Sequence, residues 1–357
     1  KTKKPIYLYG MGDGALKIID VLNHYNIAFT GIFASDDFVR GHSFCGKKVL
    51  KFSEVINLHS NNFITLLSFA SSLQGVMQKF LSMQNECEFY APDVPVIKTD
   101  EETERIFNID YIKKHEDEFD KVYSLLADEQ SKKVFLNAIN FKISGKINYL
   151  MRMQTKISEV YKNIIRPNSD DTYIDLGAYT GDTVSEFLEY INGDFSGKIF
   201  AFEPDKKNYK KLLKRIESEE IKNITTYNIA SWDKETDILF NNNGGRNSKS
   251  LATKFNFPST KNELSIPANS VDNLLSQQKI DIIKFDVEGA EEKALLGCKN
   301  AIQEQLPKLM LSAYHKNCDI FSLPLLIENM AKNKYNFYLR QHPYIPCWEL
   351  NYYIIKK

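Results

Sequence analysis

Cysteine is scarce in this chain and follows no pattern. The 357 residues contain five cysteines, Cys45, Cys87, Cys298, Cys318 and Cys347. This odd, scattered set has no Cys-x-x-Cys or Cys/His spacing, which excludes the disulfide framework of a small secreted domain and indicates no zinc site. We therefore expect a cytoplasmic protein.

Excess charge and long apolar runs are also missing. Lys plus Arg and Asp plus Glu each number 46, so the formal net charge is 0 and nothing favours nucleic acid as a partner. The longest apolar run, around residues 63–73, is too short and too serine-rich to span a bilayer. Residues 1–5 lead directly into a predicted strand, unlike a signal peptide. The composition is that of a globular protein and carries no signal for a particular oligomeric state.

Three regions of different periodicity follow one another. Residues 5–97 alternate short strands with amphipathic helices, which predicts a small parallel sheet covered by helices. From 100 to 165 apolar residues recur at helical spacing. The predicted strands of the third region are residues 172–176, 198–202, 224–228, 280–285 and 308–313, then an antiparallel-looking pair, 336–340 and 349–355. We therefore predict an α/β protein with a Rossmann-like domain at 1–99, a helical connector at 100–166 and a larger α/β domain at 167–357.

The first region contains a glycine turn. Residues 10–15 fit the pattern Gly-x-Gly-x-x-Ala, and Asp36 or Asp37 stands where a ribose-binding acid would be. However, the charge of Asp13 within the turn would repel a pyrophosphate, and the unit has no second half to hold a nicotinamide. We expect a scaffold that packs, positions or recruits, with nucleotide or nucleotide-sugar binding as the alternative.

A second glycine turn opens the third region. The predicted strand 172–176 runs into Gly177 and Gly181, and a helix follows. Asp175 at the strand end suits a ligand with a positive charge or an amino group. Glu203 ends the next strand, where an acid accepts hydrogen bonds from both ribose hydroxyls of an adenosine cofactor. This combination predicts S-adenosylmethionine (SAM), the alternative being acids that only cap helices.

A third group of acids follows the strand at residues 280–285. Asp286, Glu288 and Glu291 come at its carboxyl end, the edge at which doubly wound sheets bind ligands. Lys284 in the strand offers a balancing charge. The alternative is that the glutamates begin the next helix, where acids suit the positive helix end. For Glu291 the two interpretations are evenly balanced.

Taken in order, these motifs resemble the FkbM-type methyltransferase family. The matching segments are residues 175–181, 202–204, 229–231 and 284–291, with later likeness at 311–316 and 338–342. The resemblance covers roughly residue 171 to the C-terminus. Residues 123–131 resemble longer members with an N-terminal Rossmann-like unit, although we expect Asp128 and Glu129 there to be helix-surface acids. Tyr179 departs from the family, in which many relatives carry a small polar residue.

The resemblance implies a class I SAM methyltransferase with a seven-stranded sheet that methylates a hydroxyl of a sugar, glycan precursor or related small molecule. The cofactor-binding residues carried over are Asp175, Gly177, Ala178, Tyr179, Gly181, Glu203, Pro204, Ala230, Ser231 and Asp286. We expect Tyr314, Arg340, Trp348 and the loop at 241–250, with a lid at 241–248, to shape the acceptor pocket.

Methyl transfer to a hydroxyl needs a group that manages the hydroxyl proton. The catalytic candidates are Asp286, Glu288 and His315, and His342 on the terminal hairpin is a weaker one. The ordinary pKa of histidine, near ~6.5, would suit His315 to accept a proton. A divalent metal held by Asp286 and Glu288 is an alternative that the sequence permits but does not require.

Two other classes of function compete. A nucleotide-sugar oxidoreductase or epimerase would use the first glycine turn, but no Tyr-x-x-x-Lys pair follows it. A non-catalytic SAM-fold binding protein is the third class, against which the complete set of Asp175, Glu203 and Asp286 argues.

Overall fold

The computed structural model describes residues 2–94, 106–241, 249–250 and 263–357. The strands of the first unit are β1 (Ile6–Tyr9), β2 (Gly31–Ala34), β3 (Ser43–Phe44), β4 (Lys47–Lys51), β5 (Ile64–Leu67) and β6 (Glu88–Tyr90). Its α-helices are α1 (Asp13–His24), α2 (Phe52–His59) and α3 (Gln74–Met83). The sheet order is β3-β4-β2-β1-β5-β6, parallel except for β3.

The alternation of side chains along β1 explains why helices cover both faces of this sheet. Leu8 packs on one face with Ile18 of α1. Tyr7 and Tyr9 point to the other face, where they share a core with Phe80 of α3. The predicted parallel sheet of the first region is confirmed.

A helical region joins the two sheets. It comprises α4 (Ile109–Lys114), α5 (Glu116–Leu125), α6 (Glu129–Ser144), α7 (Asn148–Met151) and α8 (Ile157–Val160), followed by a π-helical turn at Tyr161–Ile165. Lys142 of α6 forms a buried ion pair with Asp93 of the first unit (2.7 Å). Packing against both units, rather than helix propensity alone, therefore positions these helices.

Asp128 differs from its expected role as a surface acid. Its side chain caps α6 by accepting from the backbone N–H of Ser131 (2.7 Å) and binds both terminal nitrogens of Arg340. Arg340 is buried, so the pair fastens the start of α6 to the C-terminal hairpin. Glu129, by contrast, is exposed as expected.

The third region begins with β7 (Thr172–Leu176), α9 (Asp182–Glu189), β8 (Lys198–Phe202), α10 (Lys206–Ser218), β9 (Ile224–Tyr227), β10 (Ala230–Ser231), β11 (Thr236–Asn241), β12 (Lys249–Ser250) and β13 (Glu263–Asn269). It continues with α11 (Val271–Leu274), β14 (Ile282–Phe285), α12 (Glu291–Leu296), α13 (Lys299–Gln305), β15 (Lys308–Ser312), α14 (Asp319–Met330), β16 (Tyr335–Gln341) and β17 (Leu350–Lys356).

Seven of these strands form the main sheet, in the order β16-β17-β15-β14-β7-β8-β9. β17 runs antiparallel to β15 and to β16, and the five other strands are parallel. The predicted seven-stranded sheet is confirmed, and its two C-terminal strands pair antiparallel as expected, but only β17 runs against the other strands. A separate four-stranded sheet, β10-β13-β11-β12, was not predicted. Of the predicted lid at 241–248, positions 242–248 lie outside the described residues.

The two sheets meet where a loop of the first unit reaches the terminal hairpin. Ser71, after β5, exchanges two backbone hydrogen bonds with Ile345, between β16 and β17 (2.9 and 3.1 Å). In the described part of the chain, no helix has both the length and the apolar character needed to cross a membrane.

Candidate functional site

The carboxyl ends of the central strands β14, β7 and β8 open into one cavity of about 760 Å³. β7 is the first strand of its sheet and lies between β14 and β8, so strand order reverses here, where open α/β sheets bind ligands. The terminal hairpin also lines the cavity, and the first unit contributes Asp13, Lys17, Ala70 and Ser72. Both α/β units therefore border the same cavity.

The first glycine turn is filled by its own chain. A Cβ on Gly14 would lie 2.3 Å from the carbonyl oxygen of Ser68, and one on Gly10 would lie 2.5 Å from the Phe69 ring. These glycines are therefore needed for packing between the turns after β1 and β5. Asp36, one of the predicted ribose-binding acids, instead accepts a hydrogen bond from a backbone N–H at the start of α2 (3.2 Å).

The second glycine turn is also closely packed, but it faces the cavity. Gly177 has a φ of +86°, and a Cβ there would lie 1.9 Å from the carbonyl oxygen of Asp286. The glycine is therefore required by the approach of the chain after β14, in addition to its left-handed backbone. Tyr179 also has a left-handed φ, +48°, a conformation that is strained for a bulky residue. Its backbone N–H donates to Oε2 of Glu203 (2.9 Å).

Asp175 lies beneath the turn rather than on the cavity wall. Its side chain is fully buried, and its carboxylate accepts hydrogen bonds from the Thr183 hydroxyl and from Nζ of Lys284 (3.1 Å). Burial alone would lower the pKa of Lys284, but Asp175 and Asp286 outweigh it and raise that pKa above its usual range. Lys284 lines the cavity, so Asp175 acts on the site by holding this ammonium in place.

Glu203 is a buried acid with an unusual proton affinity. Burial raises its pKa to about 8, against the opposing effect of backbone N–H donors from Asp205 and Tyr179. Those donors lie 2.8 and 2.9 Å from its two carboxylate oxygens. The side chain is thereby fixed in orientation at the cavity wall, and its carboxyl group is protonated near neutral pH.

His315 lies at the centre of a cluster of acids at the cavity edge. Its side chain is 1% exposed. Nε2 lies 3.6 Å from Oδ1 of Asp286 and 3.8 Å from Oε2 of Glu288, and Nδ1 lies 3.0 Å from Oε1 of Glu291. The Tyr314 hydroxyl donates to Asp286 (3.3 Å). The structure thus brings together the three side chains that we predict to be catalytic.

The acids change the proton affinity of this histidine. Burial would lower the pKa of His315, but Glu291 first, then Glu288 and Asp286, raise it to about 10. The neighbouring acids therefore favour the protonated imidazole over the ordinary pKa that we expected for His315. Its role in accepting a proton stays a prediction.

For Glu291, the sequence left open whether the acid serves the site or only begins the next helix. Its Oε1 accepts from the backbone N–H groups of Val287 (3.0 Å) and Gly289 (3.3 Å) while it faces His315. The acid therefore orients the histidine in addition to starting α12. The signal in the sequence for a role at the site was its position three residues after Glu288, at the same strand end.

Glu349 was missed altogether. It lines the cavity from the turn before β17 and has a left-handed φ of +85°. Burial raises its pKa to about 7, with Asp286 adding to the effect. Nothing in the local sequence distinguishes this glutamate from a surface acid, because only the docking of the terminal hairpin brings it to the site.

Other predicted residues divide between the cavity and the core. Gly177, Tyr179, Glu203, Pro204, Ala230, Ser231, Asp286, Glu288, Tyr314, His315, His342 and Trp348 line the cavity. Asp175, Ala178, Gly181 and Arg340 are not among its lining residues in the part of the chain that the structure describes. His342 is buried and bonded to the Thr155 carbonyl (2.8 Å) and to the Tyr353 hydroxyl, so it serves to anchor the hairpin.

Comparisons with known proteins agree with this architecture. Residues 175–337 match the family model of the Methyltransferase FkbM domain. No curated protein matches the chain. Among solved structures, the chain is similar to the methyltransferase FkbM from Methylobacillus flagellatus KT, with a TM-score of 0.74 and 19% identity over 98% of this chain and 90% of that chain. That likeness concerns the fold and includes the first unit.

Two further structures share much less of the fold. One is an rRNA methylase from Streptococcus thermophilus, with a TM-score of 0.36 and 11% identity over 56% of this chain and 92% of that chain. The other is a protein from Streptococcus mutans in complex with SAH, with a TM-score of 0.38 and 12% identity over 57% of this chain and 99% of that chain. Scores this low support no conclusion about the site.

Proposed function

We propose that this chain, whose residues 175–337 match the family model of the Methyltransferase FkbM domain, is a SAM-dependent methyltransferase. Its proposed acceptor is a hydroxyl of a sugar, glycan precursor or related small biosynthetic product. The observation that carries the proposal is the single cavity that joins the Glu203 wall to the cluster around His315. One end suits an adenosine cofactor and the other suits a reacting hydroxyl.

The lining of the cavity suits a cationic cofactor. The acids that line it are Asp13, Asp182, Glu186, Glu203, Asp286, Glu288 and Glu349, and the lysines are Lys17 and Lys284. When bound, SAM supplies an electrophilic methyl group on a sulfonium. We propose that Glu203 accepts the ribose hydroxyls, that the turn at Tyr179 borders the methionine part, and that Lys284 receives its carboxylate.

At the other end, the cluster around His315 positions the acceptor hydroxyl. In the proposed transfer, a C–O bond forms as the C–S bond breaks, S-adenosylhomocysteine (SAH) leaves, and the hydroxyl proton passes to a carboxylate that lines the cavity. The protein contributes mainly by holding the hydroxyl in line with the methyl group. We propose that Asp286, Glu288 and His315 line this reacting edge and that Glu291 fixes the orientation of the imidazole.

The first unit supplies part of the acceptor side. We propose domain limits of 1–99, 100–166 and 167–357, with the first domain forming a wall of the cavity through Asp13 and Lys17. Tyr344 and Trp348 stack with ring centroids 6.3 Å apart and also line the cavity, so they offer an apolar face to a sugar ring. A cytoplasmic location stays a prediction.

Experiments can distinguish two alternative functions from this proposal. An oxidoreductase would need a nucleotide at the first glycine turn, where Ser68 and Phe69 already occupy the space that a side chain at Gly14 or Gly10 would need. A non-catalytic SAM-binding protein would bind SAM without turnover. Equilibrium titration with SAM and with NADH distinguishes the first alternative.

Turnover distinguishes the second. SAM labelled in its methyl group is incubated with the protein and a cell extract, and the labelled product is identified by mass spectrometry and NMR. We expect a methyl ether on a small hydroxylated molecule. Label on nitrogen or carbon would contradict O-methylation, and tight SAM binding with no labelled product in any extract would favour the non-catalytic alternative.

A further inference from the structure

The acids around His315 outnumber what one imidazole can balance. Asp286, Glu288 and Glu291 face it directly, and Asp319 and Glu349 interact with it electrostatically. Buried carboxylates are stable only when they are paired with cations or donors. Two lysines also act on these acids: Lys284 lies 3.9 Å from Asp286, and Lys316 interacts electrostatically with Glu291. Even so, the five acids of the cluster outnumber the three cations.

The buried imidazole points into this cluster. His315 is 1% exposed, and the buried Oε2 of Glu291 beside it has no hydrogen-bond partner among the described residues. Nε2 of His315 faces Asp286 and Glu288 at 3.6 and 3.8 Å. Metal–ligand bonds of about 2.0–2.2 Å separate neighbouring ligand atoms by roughly 3–3.5 Å. Each of the two carboxylates therefore needs to approach Nε2 by only a few tenths of an ångström.

The groups behind these atoms have the arrangement of outer ligands in metal sites. Metal-binding histidines usually direct their second ring nitrogen at a carboxylate, which fixes the ring and its tautomer. Here Nδ1 of His315 faces Glu291 at 3.0 Å. The hydroxyl of Tyr314 likewise donates to Asp286 (3.3 Å).

We propose that Asp286, Glu288 and Nε2 of His315 bind a divalent cation such as Mn²⁺. Glu291 is the positioning residue behind the histidine. Two carboxylates and one imidazole suit such an ion. Its effect on the acceptor rests on the proposed function, whereas cation binding itself does not. A cation here polarises the acceptor hydroxyl, so that a weak base such as the carboxylate of Glu349 suffices.

The test measures Mn²⁺ binding to the full chain without SAM or acceptor. Electron paramagnetic resonance reports free Mn²⁺, and we expect one equivalent to be bound by the wild type. Asp286→Asn and Glu288→Gln should weaken binding at least ten-fold. Glu291→Gln keeps all three ligands and should weaken it by about 10–100-fold. Asp182→Asn, an acid of the same cavity outside the cluster, should bind like the wild type.

Circular dichroism and thermal unfolding verify that each variant is folded. Absence of Mn²⁺ binding to the wild type, or equal binding by the wild type, Asp286→Asn and Glu288→Gln, would overturn the inference. Mn²⁺ binding by Asp182→Asn that is as weak as binding by the cluster variants would also overturn the inference. Binding would then reflect the general acidity of the cavity. Loss of methyl transfer with intact Mn²⁺ binding would count against the proposed function alone.

Discussion

The two glycine turns share one sequence plan, a strand, a glycine-rich turn and an amphipathic helix, yet only the second is surrounded by buried acids. In the first turn, Gly10 and Gly14 accommodate the loop after β5. In the second, Gly177 accommodates the chain at Asp286, while Glu203 holds the backbone of the turn. The glycines in both turns are explained by packing against the chain itself. The proposed ligand site at the second turn therefore rests on the acids at neighbouring strand ends rather than on the glycines.

The largest expected difference between the two units is catalytic. His315→Ala should lower kcat by roughly 10²-fold while SAM affinity changes little, because the imidazole helps to hold the acceptor hydroxyl in line with the methyl group. The matched control is His59→Ala in the first unit, whose ring bonds to the Tyr7 hydroxyl (2.8 Å). Steady-state kinetics with methyl-labelled SAM and the acceptor identified from the labelled product measures both. Equal kcat values for the two variants would remove His315 from the site.

Packing at the two turns gives the next largest difference. Gly177→Ala should reduce the free energy of unfolding by about 1–3 kcal/mol more than Gly12→Ala. Both positions have positive φ and share the backbone strain. Only at position 177 does the new Cβ meet a carbonyl oxygen, since a Cβ on Gly12 has no atom within 4 Å. Urea denaturation measures the difference, and equal losses would contradict the packing account.

Glu203 should also make the affinity for SAM depend on pH. The pKa of Glu203 is raised to about 8, and the ribose hydroxyls donate to its ionised form. SAM affinity should therefore rise roughly ten-fold between about pH 7 and pH 9, as the ionised fraction grows from about a tenth to about nine-tenths. In Glu203→Gln this component should vanish. An identical pH profile in both proteins, measured by calorimetry, would show that Glu203 does not face the ribose.

The raised pKa of Glu203 makes the folding stability fall with rising pH, whereas SAM affinity rises. The folded state binds the Glu203 proton more tightly than the unfolded chain does, since the ordinary pKa is 4.5. This contribution to the free energy of unfolding is complete below about pH 4.5 and is lost as the pH rises through 8.

The smallest expected effect is in the first unit. NADH should cause no heat or spectral change at concentrations that saturate the SAM site, because the first glycine turn is filled and Asp36 is engaged by α2. Tight NADH binding with a spectral change on addition of a nucleotide sugar would contradict a scaffolding role.

The sequence predicted most strands and helices because the periodicity of apolar residues is a local property of each segment. The main-sheet strands lie within two residues of their predicted ends, as at β7 and β14. The small sheet that includes β13 was missed, because short strands between polar residues give no clear period.

The site was predictable only in part. Strand ends brought Asp286 and His315 to one edge, as parallel sheets require. The sequence did not reveal that Asp175 is fully buried against Lys284, nor that the cluster protonates His315. Both depend on distances between residues far apart in the chain. Glu349 reaches the cavity because β17, which follows it, pairs with β15 next to β14.

The most direct test of this comparison is a calorimetric titration of SAH into the wild type, Glu203→Ala and Asp36→Ala. The wild type should bind at one site. Loss of the hydrogen bonds at Glu203 should cost about 1.5–3 kcal/mol, which is a roughly 10–150-fold weaker Kd, whereas Asp36→Ala should bind like the wild type. Unchanged affinity in a folded Glu203→Ala protein, or weakened binding in Asp36→Ala, would contradict the assignment of the cofactor site to the second unit.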